Sequence, residues 1–216
     1  MESVSALVLG YLLGSVPFGL ILTRLFGAGD IRKIGSGNIG ATNVLRTGRK
    51  GLAVATLLLD VAKGFAAVWI ASLIWADSEN PLFLWLIAGA GALVGHCFPA
   101  WLRFKGGKGV ATMLGVSFAV DWRIGLASAL VWLAVTLLTR ISSLGGMASA
   151  VAAPAAAFVI YLVIGADSGL SGWVERMELA TEGVFLLPIA ALVVFQHRAN
   201  IARIRAGSEP RVGQKA

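Results

Sequence analysis

The sequence predicts an all-α protein, a polytopic bundle of helices embedded in a membrane. Of its 216 residues, 57% are hydrophobic and 13% are charged, whereas a soluble domain is typically about 45–50% apolar and about 25% charged. The mean hydropathy is +0.83. These values argue against a soluble enzyme, a disordered tail and a small secreted domain. The single cysteine, Cys97, excludes a disulfide framework and a cysteine-rich metal site, and we expect it to pack in the core.

Six apolar runs are long enough to cross a bilayer, which takes about 17–25 residues. In chain order they are 3–26, 51–76, 81–101, 123–139, 144–164 and 180–196. The run 110–120 is apolar but short, so it predicts either a tilted partial span or one arm of a re-entrant pair with 123–139. The expected count is seven spans, or five if 110–139 is re-entrant. Both counts are odd and place the two termini on opposite sides.

The charges predict how these spans are oriented. Fifteen of the eighteen Lys and Arg residues lie in 24–50, 102–109, 140–143 and 197–216. Eight of the eleven acids lie on the other side, at the N-terminus and in 77–80, 121–123 and 165–182. Basic segments face the cytoplasm. No Lys or Arg precedes Arg24, so the first run lacks the basic region of a signal peptide. We therefore expect an uncleaved first span, an external N-terminus and a cytoplasmic C-terminus.

The whole chain, 1–216, is expected to form one membrane-embedded domain with cytoplasmic motif segments at 27–50, 102–109 and 197–216. The first motif, GSGNIGATNVLR at 35–46, has no helical or strand periodicity. Small hydroxyls, amides and backbone N–H groups freed by glycine suit an anionic ligand, and an arginine can clamp a phosphate through two hydrogen bonds. The candidate residues are Ser36, Asn38, Thr42, Asn43 and Arg46. A solvated loop is the alternative.

The second motif, at 95–112, contains Lys105-Gly106-Gly107-Lys108-Gly109 directly before an apolar helical run. A glycine-rich loop with lysines at a helix N-terminus favours anion binding, because the free N–H groups and the helix dipole add to the ammonium charges. The motif is not a P-loop, since the spacing GxxxxGK[ST] is absent. A basic hairpin that touches lipid headgroups is the alternative interpretation.

The third motif, HRANIARIRAGSEP at 197–210, predicts an interfacial amphipathic helix that ends near Gly207. His197 and Asn200 are three residues apart and would face one direction. Taken alone, this segment is typical of membrane anchoring. It also contains one of the chain's two histidines; the other, His96, precedes the second motif. Either histidine could act as a general base near neutral pH, whereas no metal-ligand pattern surrounds them.

Asp60 and Lys63 are charged residues inside the second span. Each would cost at least ~2.5–3.5 kcal/mol at the bilayer centre, so we expect them to pair at i, i+3 and to face the bundle interior. Two interpretations are open for this pair. It braces the loop above it, or it contacts a substrate directly.

Together the stretches SGNIGATNVLR, GHCFPAWLRFKGGKGVAT and HRANIARIRAGSE, with the linking LLLDVAKG, resemble the motifs of the bacterial acyl-phosphate:glycerol-3-phosphate acyltransferase family, PlsY. The resemblance covers nearly the whole chain in the expected order. It implies an inner-membrane enzyme that moves a fatty acyl group from acyl phosphate to the 1-hydroxyl of sn-glycerol 3-phosphate, giving lysophosphatidate and phosphate. The active site would face the cytoplasm.

By the same resemblance, residues of all three motifs carry catalytic or substrate-binding roles. The catalytic set would be Ser36, Asn38, Arg46, His96, His197 and Asn200. The substrate-binding set would be Thr42, Asn43, Lys105, Gly106, Gly107, Lys108, Gly109 and Glu209. No cofactor and no metal are implied. The expected partners are acyl phosphate, glycerol 3-phosphate and membrane lipid, with no nucleic acid, and a monomer is compatible with this role.

The residues themselves agree with direct acyl transfer. Both substrates carry phosphate, and Arg46, Lys105 and Lys108 supply positive charge. An acyl phosphate is already activated, so no Ser or Cys nucleophile is required. The HxxxxD pattern of other acyltransferases is absent, because Trp101 and Ala202 stand five residues after the histidines. Two alternatives are a transporter for a phosphorylated solute and a scaffold that binds lipid headgroups.

Overall fold

The computed structural model describes residues 1–164 and 170–213, and every regular element within these ranges is a helix. The predicted segments 165–182 and 197–216 therefore lie partly outside the described residues. The α-helices, in chain order, are α1 Glu2–Gly14, α2 Phe18–Leu25, α3 Ala41–Leu45, α4 Lys50–Ile74, α5 Pro81–Cys97, α6 Val110–Val120, α7 Trp122–Thr139, α8 Ser142–Ile164, α9 Leu170–Gln196 and α10 Arg198–Arg205.

Six helical segments of the described residues are long and apolar enough to cross a membrane. They are Glu2–Leu25, Lys50–Ile74, Pro81–Leu102, Trp122–Thr139, Ser142–Val163 and Met177–Gln196, close to the six predicted runs. The short run 110–120 is helix α6, whose 11 residues extend about 16 Å at 1.5 Å per residue. The chain is thus an integral membrane protein with six long apolar helices and one short helix.

The first span is interrupted, contrary to the single run predicted for 3–26. Helix α1 ends at Gly14 and α2 begins at Phe18. Pro17 has no N–H to donate and disfavours helical geometry at the residue before it, which breaks the helix. Two carbonyls freed by the break find partners elsewhere in the bundle. Trp101 Nε1 donates to the carbonyl of Ser15 at 2.9 Å, and Lys63 Nζ donates to that of Val16 at 2.9 Å.

Glycines set the closest helix contacts. Helices α1 and α5 pack through Gly10 and Gly14 on one side and Gly91 and Gly95 on the other, each pair four residues apart. A methyl group on Gly95 would lie 2.2 Å from the carbonyl oxygen of Tyr11. This is the close small-residue packing expected of helices in lipid. The short helix α6 is largely buried and packs on α4 and α7.

The connections collect at two ends of the bundle. At one end, the hydroxyl of Ser78 donates to the Glu2 carboxylate at 2.9 Å, so the N-terminus meets the α4–α5 turn. At the other end, the Val212 N–H donates to the carbonyl of Arg140 at 2.7 Å, which ties the C-terminal segment to the α7–α8 turn. This second end also carries the motif loops before α3 and α6, which are rich in Lys and Arg. We therefore call it the basic end.

Candidate active site

A cavity of about 120 Å³ opens at the basic end. Its lining comes from four segments that are far apart in the sequence, 36–46, 108–111, 142–143 and 197–210, together with Asp60 and His96 from the neighbouring helices. Three apolar side chains complete the wall toward the membrane interior: Leu57, Leu114 and Trp132. The cavity therefore joins polar loops to an apolar face.

Asn43 organises the first motif loop. It is 2% exposed, and its amide donates to the carbonyls of Ile31 at 2.8 Å, Ile34 at 3.0 Å and Asn38 at 2.8 Å. Its Oδ1 accepts the Ser36 N–H at 3.2 Å. Because these bonds occupy both ends of the amide, Asn43 shapes the loop around the cavity, and its expected role in binding substrate stays a prediction.

Arg46 follows α3 directly and reaches the cavity past Gly35. Gly35 has a φ of +54°, and a methyl group there would lie 2.5 Å from Arg46 Nη1. Within residues 1–164 and 170–213, the guanidinium of Arg46 has no hydrogen-bond acceptor and no ion-pair partner. The hydroxyls of Thr42 and Ser142, also in the lining, likewise donate to no described acceptor. The guanidinium and the two hydroxyls are therefore available as hydrogen-bond donors in the same cavity.

The second motif loop packs under the cavity on the end of α5. The N–H groups of Gly107 and Gly106 donate to the carbonyls of His96 at 2.9 Å and Cys97 at 3.1 Å. A methyl group on Gly107 would lie 2.0 Å from His96 Nε2, so only glycine fits this contact. These two glycines do not line the cavity, so their expected role in binding substrate stays a prediction. Their contacts with the end of α5 fix the backbone just before Lys108.

Lys105 also lies outside the cavity lining, so its expected role in binding substrate stays a prediction. The loop turns sharply just before it, because Arg103 and Phe104 both have left-handed backbone conformations, with φ of 54° and 59°. Lys105 is consequently exposed, while Lys108, three residues later, lies in the lining. The turn separates two lysines that look equivalent in the sequence.

A polar network from α8, α10 and the C-terminal segment surrounds Lys108. Lys108 Nζ donates to Asn200 Oδ1, and the Asn200 amide donates to Glu209. The Glu209 carboxylate also accepts from the Ser143 hydroxyl at 2.6 Å and from Arg203 Nε at 2.7 Å. These three donors outweigh partial burial and lower the pKa of Glu209.

Lys108 itself is held in a partly desolvated position. Burial lowers its pKa from 10.5 to about 8, and the charges of Arg203 and Arg46 act in the same direction, while Glu209 opposes them. The ammonium group is still predominantly charged at neutral pH. A desolvated ammonium beside an unpaired guanidinium favours the binding of an anion, since an anion would stabilise both charges.

His197 presents a neutral imidazole to the cavity. Its Nδ1 lies 2.7 Å from the carbonyl oxygen of Val193, which can only accept, so Nδ1 carries the proton and Nε2 is left as an acceptor. Burial lowers the pKa of His197 from 6.5 to about 4, despite that hydrogen bond. At neutral pH the ring can therefore accept a hydrogen bond from a substrate hydroxyl.

Asp60 and Lys63 form the expected i, i+3 pair inside α4, with Lys63 Nζ 2.7 Å from Asp60 Oδ1. Both are buried, and Asp60 Oδ1 lies 3.8 Å from His96 Nδ1. Among the residues that the structure describes, His96 Nδ1 has no hydrogen-bond partner. Asp60 and His96 both line the cavity. The Asp60–Lys63 pair therefore lies next to the site, beside His96, which contacts the Gly107 loop.

The charges of the cavity do not balance. Asp60 is neutralised by Lys63 and Glu209 by Arg203. Arg46 and Lys108, by contrast, are in no ion pair with a carboxylate of the described chain. The arrangement therefore offers two positive charges and several free donors to an anionic ligand. No group of three His, Cys, Asp or Glu side chains suited to a metal ion occurs among the described residues.

The cavity includes eleven of the fourteen expected site residues, all except Lys105, Gly106 and Gly107. Sequence reasoning missed Ser142, Ser143 and Arg203. The two serines lie just after the turn at Arg140. Two adjacent polar residues at the end of a span were a sequence signal that could have identified them as site residues. Arg203 was interpreted only as part of an amphipathic helix, because its pairing with Glu209 depends on the turn at Gly207, whose φ is +66°.

Comparisons with known proteins agree with this architecture. A family model described as glycerol-3-phosphate acyltransferase matches residues 4–207. A protein of that name from Novosphingobium aromaticivorans is 57% identical and covers 100% of this chain and 98% of its own length. Another from Erythrobacter litoralis is 53% identical and covers 99% of this chain and 96% of its own.

Two crystal structures of PlsY (YgiH), an integral membrane glycerol 3-phosphate acyltransferase, have the same fold. The glycerol 3-phosphate form superimposes with a TM-score of 0.79 at 35% identity, over 99% of this chain and 96% of the other. The lysophosphatidic acid form gives a TM-score of 0.77 at 34% identity, over 98% and 95%. The family match and the near-complete relatives together establish that the chain belongs to the glycerol-3-phosphate acyltransferase family.

Proposed function

We propose that this protein transfers a fatty acyl group from acyl phosphate to the 1-hydroxyl of sn-glycerol 3-phosphate, giving lysophosphatidate and inorganic phosphate. The observation that carries the proposal is a pair of cations, Arg46 and Lys108, that form no ion pair with any described carboxylate and line a cavity that joins polar loops to an apolar wall. Glycerol 3-phosphate is named for the relatives, and lysophosphatidic acid for one of the solved structures. The acyl phosphate donor is proposed from the resemblance of the motifs, and such an activated donor needs no nucleophile on the protein.

The two phosphates of the reactants require separate sets of donors. Arg46, with its planar fork, suits bidentate binding of one phosphate, and Lys108 suits a single strong contact. Ser36, Thr42 and the backbone of the first motif suit the phosphate or the carbonyl of the donor. Asn38 Oδ1 accepts the Gly40 N–H at 3.2 Å, which leaves its amide hydrogens available to the developing oxyanion. Such a contact is worth about 2.7–4 kcal/mol in other enzymes.

Transfer is direct in this proposal. The 1-hydroxyl oxygen of glycerol 3-phosphate attacks the acyl carbonyl carbon, and the bond from that carbon to the phosphate oxygen breaks, with its electron pair leaving on phosphate. The hydroxyl proton passes either to a substrate phosphate oxygen or to His197 Nε2. No hydroxyl of the described cavity residues donates to a histidine ring, and Cys97 is buried in the core, so an acyl-enzyme has no evident nucleophile.

The acyl chain is accommodated by apolar residues on the membrane side. Leu57 and Leu114 lie on α4 and α6, and Trp132 lies on α7, so the cavity wall continues along three helices. We further propose seven crossings, with α6 as the short one, in the bacterial inner membrane. The basic end would face the cytoplasm, where glycerol 3-phosphate is dissolved, and a monomer would contain every group of the site.

The proposal is tested by supplying purified protein with palmitoyl phosphate and labelled glycerol 3-phosphate in the absence of any coenzyme A thioester. We expect labelled lysophosphatidate and one phosphate released per acyl group transferred. A protein that uses only palmitoyl coenzyme A, or that forms no product with either donor, would overturn the proposal.

The proton acceptor and the directness of transfer are tested in the same assay. If His197→Ala retains near-normal turnover, the substrate phosphate removes the proton; a loss of about 10²–10⁴-fold assigns that step to His197. Rapid quenching with labelled palmitoyl phosphate alone should leave no label on the protein. A stable acylated protein would contradict direct transfer.

A further inference from the structure

The first span is broken between α1 and α2, and the buried ammonium group of Lys63 holds this break from the side of α4. Lys63 Nζ donates to the Val16 carbonyl at 2.9 Å and lies 5.8 Å from the centroid of the Phe18 ring. It also contacts Asp60 Oδ1 at 2.7 Å, and the two charged residues, Asp60 and Lys63, are 3% and 5% exposed. Lys63 therefore contacts the residues on both sides of Pro17.

Helix α2, which starts at this break, packs against the first motif loop. A methyl group on Gly19 would clash with the carbonyl oxygen of Ile39, so the two backbones are in direct contact. Leu20 and Ile39 also belong to one buried apolar cluster. Ile39 lies between Asn38 and Gly40, both of which line the cavity. The position of α2 therefore sets the position of this part of the cavity wall.

On its other side, the charged pair reaches the second motif loop. Asp60 Oδ1 lies 3.8 Å from His96 Nδ1, and the His96 carbonyl accepts the Gly107 N–H at 2.9 Å. Gly107 directly precedes Lys108, the lysine of the cavity wall. Asp60 and His96 line the cavity, whereas Lys63 lies outside its lining. The pair is thus placed between the two loops that carry the candidate phosphate-binding groups.

From this geometry we propose that Lys63 is a positioning residue for acyl transfer, which sets the first motif loop against the second. It acts through the Val16 carbonyl and α2 on one side, and through Asp60 and His96 on the other. The inference rests on the proposed function, since that reaction needs donors from both loops around one pair of reactants. A misplacement of about 1 Å in such an arrangement can lower the rate by about 10²-fold. A buried ion pair is weak evidence for stability, so stability alone does not account for two charges inside a span.

A neutral double variant tests this role. Asp60→Asn combined with Lys63→Met removes both charges and leaves no unpaired ion in the span, so we expect it to fold. Well below its melting temperature, kcat should fall by about 10²-fold. Its affinity for sn-glycerol 3-phosphate should change by less than tenfold, because Arg46 and Lys108 remain. A lowered melting temperature with an unchanged kcat of the folded protein would show a purely structural role and overturn the proposal.

Trp101→Phe is the matched control. Trp101 Nε1 donates to the Ser15 carbonyl at 2.9 Å, so this variant also removes one hydrogen bond from the same break. Ser15 is the C-cap of α1, so this bond holds α1 rather than the start of α2, and Trp101 lies outside the cavity lining. We expect its kcat to stay within twofold of the wild type. Equal losses in the control and in the double variant would overturn the assignment to Lys63.

A second double variant, Asp60→Asn with Lys63→Gln, serves if the first does not fold. It keeps two polar side chains that can bond to each other at i, i+3. Glutamine is one bond shorter than lysine, so it cannot hold the Val16 carbonyl at the same distance. The same fall in kcat is expected, and a kcat within twofold of the wild type would overturn the proposal.

Hydrogen exchange gives a readout that does not depend on turnover. The Ser36 N–H donates to Asn43 Oδ1 at 3.2 Å within the first motif loop. We expect the amides of this loop to exchange about tenfold faster in the double variant and at the wild-type rate in the control. A fall in kcat without faster exchange would assign Asp60 a direct contact with substrate and overturn the proposal, as would faster exchange without a fall in kcat. If the wild type made no product while exchange changed as expected, the proposed function would fail, and the link between Lys63 and the loop would stand.

Discussion

Lys108 is the residue whose charge state most directly links the structure to the chemistry. Its ammonium group lies in the cavity wall, bonded to Asn200, and burial brings its pKa down to about 8. Binding a phosphate requires the charged form. The same burial that strengthens a contact with an anion therefore also limits the pH range in which the contact is available.

We predict that the KM for glycerol 3-phosphate rises above pH 8 in the wild type. Lys108 has a lowered pKa, so it is charged below about pH 8 and loses its charge as the pH rises through that value. The substrate phosphate, with a second pKa near 6, does not change over this interval. The rise should approach tenfold per pH unit in steady-state assays between pH 7 and pH 9.5.

Lys108→Arg provides the control for this pH dependence. A guanidinium remains charged at all these pH values. The variant has a different KM at pH 7, but we expect that KM to stay constant through pH 9. An equal rise in both proteins would remove Lys108 as its cause.

At the scale of elements, breaks and turns decide which side chains reach the cavity. The break at Pro17 frees the Val16 carbonyl, which holds Lys63 beneath the site, and the left-handed pair Arg103 and Phe104 turns Lys105 away from it. The motif content and the order of the spans could be predicted from the sequence. These local turns could not, because they depend on which carbonyl or ring the loop meets after packing.

We predict that Gly95→Ala destabilises the bundle, since its methyl group would lie 2.2 Å from the Tyr11 carbonyl oxygen and force α1 and α5 apart. Overpacking of this kind costs about 1–3 kcal/mol. At about 2–4 °C per kcal/mol, the melting temperature in detergent should fall by roughly 2–12 °C. Gly51→Ala is the matched control, because no atom lies within 4 Å of a methyl group there. An equal effect of both substitutions would mean that the α1–α5 contact does not limit stability.

At the scale of the whole molecule, the motif loops gather at the basic end, and the candidate site lies there. Composition and charge distribution were enough to predict a helical membrane protein and to group the three motifs. Ser142, Ser143 and Arg203 were not predicted as site residues, because each enters the cavity only through contacts across the fold. Arg203, for example, pairs with Glu209 at 2.7 Å after the chain turns back at Gly207.

The orientation of the two ends is testable with cysteine labelling. The native Cys97 is 1% exposed, so it should react little in the folded protein. Lys33→Cys at the basic end and Glu79→Cys at the opposite end are both exposed positions. With a membrane-impermeant maleimide, we expect Glu79→Cys to react in intact spheroplasts and Lys33→Cys to react only in inverted vesicles. The reverse pattern would contradict a cytoplasmic site.

The central claim is that the unpaired cations of the cavity bind the phosphate of the acceptor substrate. The most direct test measures the equilibrium binding of sn-glycerol 3-phosphate to the wild type, to Arg46→Ala and to Arg205→Ala, an exposed arginine of α10 outside the cavity lining. A charged hydrogen bond is worth about 1.5–3 kcal/mol, so Arg46→Ala should weaken binding by about 10- to 150-fold, with Arg205→Ala unchanged. Equal affinities in all three proteins would contradict the account.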